Sequence, residues 1–185
     1  MRDAPEAAHR VPGPGARVIA YKFLRPDGTG VFTRYPWPLP RDGAPGGWVD
    51  APLDPCRSGI HACRRADLPL WLGRDLYEIE LGGATAQERT KVVAARGRLL
   101  RRIDAWDDAM RDAYTRDCAE RAHALVREGG PALAEWDTVI EPSTAEGPAL
   151  LGFVAARIAE ERHGIAAYHA ERAHQVAWLT ARLGL

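Results

Sequence analysis

Net charge is the first thing this sequence lacks: 25 Lys+Arg balance 25 Asp+Glu over 185 residues, and the sequence pI is near 7.0. A chain without excess charge has no general pull toward nucleic-acid phosphates or anionic lipid, so nucleic acid is a disfavoured partner. An unbroken apolar run of about 18 residues, the length a helix needs to cross a bilayer, is also missing, and no membrane association is expected. Cysteine is scarce. Cys56, Cys63 and Cys118 are an odd number in a chain long enough to fold without staples, which argues for reduced thiols rather than a disulfide framework. Lysine is scarcer still: only Lys22 and Lys91 occur, and arginine carries nearly all the positive charge. That skew has no functional reading by itself. The first fifteen residues, MRDAPEAAHRVPGPG, lack an apolar targeting segment, so residues 1–16 read as a flexible tail and the protein as cytoplasmic.

What is present is enough to fold. With 46% hydrophobic and 27% charged residues the composition is not that of a disordered chain, and the length suits one compact domain or a domain with a helical appendage. The texture changes near residue 103. Before it, Gly and Pro are frequent and apolar runs are short, which predicts strands joined by turns. Arg17 to Leu24 reads as a first strand, Arg25-Pro26-Asp27-Gly28 as a turn, and Thr29 to Tyr35 as the returning hairpin partner. Pro36 to Pro55 holds six prolines with Trp37 and Trp48, and reads as an ordered loop laid over the sheet. Ser58 to Cys63 is a short strand and Arg65 to Leu72 a brief helical turn. In Asp75 to Leu81 the alternation puts Tyr77, Ile79 and Leu81 on one face and Leu76, Glu78 and Glu80 on the other. Thr90 to Ala94 is a β-branched strand, and Gly97 to Ile103 continues as a strand or starts a helix.

From Asp104 the period is helical. Trp106, Met110, Tyr114, Cys118 and Leu125 mark a helix ended by Gly129-Gly130-Pro131. Ser143-Thr144-Ala145-Glu146 has the pattern of a capping box that opens a second helix, which stops at His163-Gly164, and a last helix runs to the C-terminus. The fold class expected is α+β: a small, mostly antiparallel β-sheet domain over residues 17–103, followed by a helical bundle over residues 104–185 packed on it.

The residues best able to carry chemistry surround His61. On a strand, His61 and Cys63 share a face while Ile60 and Ala62 enter the opposite layer; if Asp75 to Leu81 lies alongside, Glu78 or Glu80 reaches the imidazole. A His with a carboxylate partner is a general-base arrangement. The same pair also serves as a buried structural hydrogen bond. Zinc is not expected, since Cys56, His61 and Cys63 in a Cys-x4-His-x-Cys order lack the paired knuckle of structural sites. Cys63 beside His61 is more simply a small apolar side chain than a nucleophile. In the helical half Glu120/His123, Glu160/His163 and Glu171/His174 have the Glu-x-x-His spacing of carboxylate metal bundles, with Glu161 and His169 nearby; that spacing is also common on solvated helix faces. Trp106, Trp136 and Trp178 read as packing anchors. No phosphate-binding glycine motif lies between a strand and a helix. If Gly97 to Ile103 is a strand, Arg96, Arg98 and Arg102 share a face that can meet an anion.

Cys56-Arg57-Ser58-Gly59-Ile60-His61-Ala62-Cys63, Leu76-Tyr77-Glu78-Ile79-Glu80-Leu81 and Lys91-Val92-Val93-Ala94 together resemble an uncharacterised domain of phage and bacterial proteins, over about residues 17–103. Its pattern is Cys-x-Ser-Gly-x-His-x-Cys, then a Tyr/Trp-Glu-Val/Ile-Glu strand and a Lys-Val/Ile-x-Ala strand. Residues 104–185 resemble the helical tail of conserved hypothetical proteins from actinobacteria. A more distant likeness is to ADP-ribosyltransferase-like folds, including the poly-ADP-ribose polymerases, in the succession Gly59 to Cys63, Arg65 to Leu72, Tyr77 to Glu80. That likeness implies NAD as cofactor. The chain departs from it where Tyr21-Lys22-Phe23 stands in place of His-Gly-Thr, and no catalytic Glu can be placed. The function expected is a binding or interaction module with a small-molecule or nucleotide cleft around His61, its candidate residues Tyr21, Trp37, Trp48, His61, Cys63, Glu78 and Glu80. An ADP-ribosyltransferase-like enzyme using NAD in that cleft is the alternative; otherwise no cofactor is expected, and the partner is a small molecule or a protein.

Overall fold

Alternation of apolar and polar residues builds the sheet, and two interruptions of that alternation shape it. The computed structural model describes residues 17–55 and 57–185, apart from the side chains of Ala145 and Glu146. The tail reading for residues 1–16 and the part given to Cys56 lie outside the described residues. Five strands form: β1 (Val18–Leu24), β2 (Val49–Asp50), β3 (Ile60–Ala62), β4 (Asp75–Gln87) and β5 (Val92–Arg102). Four helices follow: α1 (Asp108–Gly129), α2 (Asp137–Glu146), α3 (Pro148–His163) and α4 (Ile165–Leu183). The fold is α+β, with an antiparallel sheet in the N-terminal half and helices in the C-terminal half.

β4 lies between β1 and β5, and the far edge of β5 takes β2 at Gly97 and then β3 at Val92 to Ala94. One residue beyond β3, Cys63 exchanges both backbone hydrogen bonds with Tyr21, each 2.8 Å, on the edge of β1 turned away from β4. The sheet therefore closes on itself as a small irregular barrel. Ala20, Leu24, Ile60, Ala62, Tyr77, Ile79, Leu81, Val92, Ala94 and Leu99 fill it, and Trp37 seals it from the loop. Tyr21, Phe23, Cys63 and Leu76 point outward and join the core of the helices. A run of edge-to-face rings, Phe23–Trp106 at 6.3 Å, Trp106–Tyr114 at 6.4 Å and Tyr114–Trp178 at 5.3 Å, carries that core from sheet to α4.

Three local expectations are corrected. Thr29 to Tyr35 does not return as a strand: Arg34 takes a left-handed φ of 58° and its amide bonds back to Gly30, so the chain curls into a turn and only single bridges form. Ser143 and Thr144 do not open a helix; they belong to the last turn of α2, where the Thr144 hydroxyl donates to the Ile140 carbonyl. The next helix opens at Gly147 (φ 120°) and Pro148, so α2 is an additional short helix. The helical turn expected after β3 does form, as a 3-10 helix over Arg65–Leu70. Lastly, Glu78 pairs with Arg101 while Ile79 pairs with Leu99, so Leu100 is bulged out. The bulge flips the alternation, and Arg101 takes the face expected for Arg102.

Candidate functional site

β3 pairs with β5 and not with β4, so the carboxylates expected beside His61 are not there. Val93 stands opposite His61, and the imidazole instead meets an ammonium: Lys91 Nζ lies 3.3 Å from His61 Nδ1. Burial, then Lys91 and Lys22, lower the His61 pKa from its ordinary value, against a contact with the Ser58 carbonyl and the charge of Glu88. Lys22 enters where β3 peels away from β1. Its ammonium donates to the His61 carbonyl at 2.8 Å and sits 4.6 Å from the centre of the Trp37 ring. The side chain as a whole is half-buried, but its charged end is enclosed, and burial holds the amine down to about 8. The Cys63 thiol donates to the Tyr21 carbonyl at 3.4 Å, and burial pushes it up to about 12, which leaves it a thiol at neutral pH. Trp37 by its ring and His61 by its backbone carbonyl thus meet Lys22, a residue that composition marked only by its rarity, while the Tyr21 and Cys63 side chains turn to the helix core on the opposite face.

Trp48, Glu78 and Glu80 form a second group on the outer face of the sheet. Gly97, opposite Val49, and Val93, opposite His61, are four residues apart on β5, roughly 13 Å at the rise of a strand. The two tryptophans consequently diverge, Trp37 into the barrel and Trp48 onto its outside. The guanidinium carbons of Arg96 and Arg98 lie 4.5 and 4.7 Å from the Trp48 ring centre. Glu80 is buried to 7% exposure and is held by Arg17 (Nε to Oε1, 2.5 Å) and Arg98 (Nε to Oε2, 2.9 Å), while Glu78 pairs with Arg101 at 2.8 Å. The Arg17 hydrogen bond, more than burial opposes, lowers the Glu80 pKa. Gly82 and Gly83 (φ 70°) fall in the middle of β4 where its register shifts against β5. Without side chains there, a concavity of about 420 Å³ opens between Arg17, Trp48, Glu80, Leu81, Gly82, Gly83 and Arg98. Sequence reasoning missed Arg17, which stands just before β1; Arg98 was visible as part of a basic run.

In the helices the acidic and histidine pairs are spread among separate partners. Glu171 accepts from Arg121 and Gln175, Glu160 pairs with Arg157, and Glu161 accepts from Trp136 Nε1 at 2.9 Å. His123 Nδ1 is 3.3 Å from Asp137, and His174 is 3.8 Å from Asp117. Among the described residues no three His, Cys, Asp or Glu side chains converge as a metal site would require, and no helix is long and apolar enough to cross a membrane. A second concavity, of about 800 Å³, lies along α1, between Arg74, Arg111, Arg116 and the start of α3.

Comparison with protein-family models, with curated proteins and with solved structures finds no match to this chain.

Proposed function

We propose that the protein is a binding module for a small anionic molecule with a planar ring, a nucleotide being the plainest member of that class, held in the concavity beside Trp48. The observation that carries this reading is the juxtaposition of an exposed indole, two guanidiniums on its ring and a glycine pair that lets a ligand approach the backbone. Arg98 gives Glu80 only its Nε; its two terminal nitrogens meet no protein acceptor among the described residues. A guanidinium with free donors grips phosphate or carboxylate oxygens in pairs, and a guanidinium laid on the indole offers its own outer face to a planar ring, which adds cation–π attraction. The concavity also falls in the size range of small-molecule sites. Binding is preferred to ADP-ribosyl transfer from NAD because Glu80, the carboxylate that lines the concavity, is engaged by Arg17 and Arg98, and Glu78, further along β4, by Arg101.

The test is a thermal-shift and calorimetric comparison of AMP, ATP, NAD and inorganic phosphate. A ligand that binds the native state raises its melting temperature by mass action. The ring-bearing anions are expected to bind more tightly than phosphate, and Arg98→Ala and Trp48→Ala should each weaken them by about tenfold or more. Absence of binding by all four, or equal affinity in both variants, would count against the reading.

A further inference from the structure

One carboxylate holds both arginines that line the concavity beside Trp48. Glu80 stands on the middle strand, opposite Ile19 of β1 and Arg98 of β5. Arg17 donates to it from Nε to Oε1 at 2.5 Å and from Nη2 to Oε2 at 3.0 Å, and Arg98 donates from Nε to the same Oε2 at 2.9 Å. The two guanidiniums therefore sit side by side, and the carboxylate between them is far more enclosed than either. In the next row of the sheet Gly82 faces Arg96 and supplies no side chain, so space beside the pair stays open. Arg17 keeps Nη1 and one hydrogen of Nη2, and Arg98 keeps both terminal nitrogens; none of these meets another protein acceptor among the described residues.

We propose that Arg17 and Arg98 form a clamp for a terminal phosphate, which makes the ligand a phosphomonoester of a planar ring, a nucleoside monophosphate in its plainest form. The assignment rests on the proposed binding of a ring-bearing anion and narrows it. Oxygen count separates the candidate anions. A carboxylate has two oxygens in one plane and is satisfied by one guanidinium, and a phosphodiester also leaves only two oxygens free. A terminal phosphoryl group offers three at tetrahedral angles, enough for a paired grip by Arg98 and a separate bond from Arg17. Charge separates phosphates of different length. Arg17 and Arg98 against Glu80 leave the lining with one surplus positive charge. A phosphomonoester, with about −1.5 to −2 at pH 7, comes close to matching it, and a triphosphate overloads it. The ring then lies against the stack that the Arg98 guanidinium makes with Trp48, next to the phosphate.

Calorimetric titration with adenosine, AMP, cyclic AMP and ATP at one ionic strength isolates the phosphate, because all four share the base. AMP is expected to bind about ten times more tightly than adenosine or cyclic AMP, or more, and no more weakly than ATP. Arg17→Ala removes a largely exposed side chain ahead of β1; it should bring AMP down to the level of cyclic AMP and leave cyclic AMP within about twofold of its wild-type affinity. Cyclic AMP bound as tightly as AMP by the wild type, ATP bound more tightly than AMP, or an AMP preference that survives in Arg17→Ala would each overturn the clamp and leave the ring-and-anion reading standing. Failure of all four to bind the wild type would overturn both.

Discussion

The Lys91 ammonium stands 3.3 Å from Nδ1 of His61. An ammonium has only donors, so Nδ1 is the acceptor and the ring proton resides on Nε2, the neutral form. Burial and the two lysines favour that form further. In an NMR titration His61 should therefore turn over below the ordinary histidine value of 6.5, and Lys91→Gln should move its midpoint upward. The linkage has a definite sign. The unfolded chain takes up the His61 proton first as pH falls, so this residue subtracts stability below about pH 6.5 and is neutral in its effect above it. A His61 midpoint at or above 6.5 would show that the Lys91 contact does not govern the ring.

Lys22 has the same sign in a different window. Unfolded, its amine holds a proton up to about 10.5; folded, only to about 8. Between those values the unfolded state binds more protons, and stability gains from this residue as pH rises. Urea denaturation of the wild type and of Lys22→Met at pH 7.5 and pH 9.5 isolates the contribution from other titrating groups. The wild type should gain on the variant at the higher pH. A constant difference would mean that Lys22 titrates alike in both states.

Legibility in the sequence followed the strength of the local signal. Strict alternation in Asp75 to Leu81 gave the first half of β4 its faces, the β-branched Val92-Val93 marked the start of β5, and Gly129-Gly130-Pro131 and His163-Gly164 marked true helix ends. α2 stayed hidden because Pro142 falls inside it and its last turn carries Ser and Thr, residues that equally suit a helix start. The bulge at Leu100 leaves no mark in composition, so the place given to Arg102 on the face of Arg96 and Arg98 belongs to Arg101. How the candidate residues group depends on strand order. Nothing local to Ile60-His61-Ala62 says that β5 rather than β4 lies beside it.

Gly97 sits where the inside of the barrel leaves no room for a side chain. A Cβ there would lie 2.8 Å from Ile60 Cγ2 and 3.3 Å from both Ile79 Cδ1 and Leu81 Cδ2. Ile60 is β-branched on a short, pinned strand and has little freedom to withdraw. Gly97→Ala should cost about 1–3 kcal/mol in chemical denaturation, the usual range for overpacking. Unchanged stability would mean that β3 shifts freely against β5.

Between α1 and α4, Arg121 donates from Nη2 to Glu171 Oε1 at 2.7 Å and from Nε to Oε2 at 3.0 Å, and it also pairs with Asp117. Gln175 adds a 2.7 Å bond to the same carboxylate and a 2.8 Å bond to the Gly152 carbonyl. Glu171 is only 8% exposed. Arg121→Met strands that carboxylate in the bundle and should cost about 3–5 kcal/mol, whereas Arg121→Met with Glu171→Met should recover much of the loss. Equal losses in the single and double variants would show that the charge pair is not coupled.

The closure at Tyr21 and Cys63 bears on the order in which the chain assembles. β4 and β5 meet through the short turn Glu88 to Lys91, but β1 finds β4 across the long stretch 25–74, and its other edge waits for β3. Local pairings form before distant ones, because each long loop must be closed at an entropic cost before its contacts repay it. β1 is thus a late arrival, and until Cys63 reaches Tyr21 it presents an unpaired edge, Ile19 among its exposed residues, to any other extended chain nearby. The two hydrogen bonds that shut the barrel are therefore also a guard against aggregation during refolding.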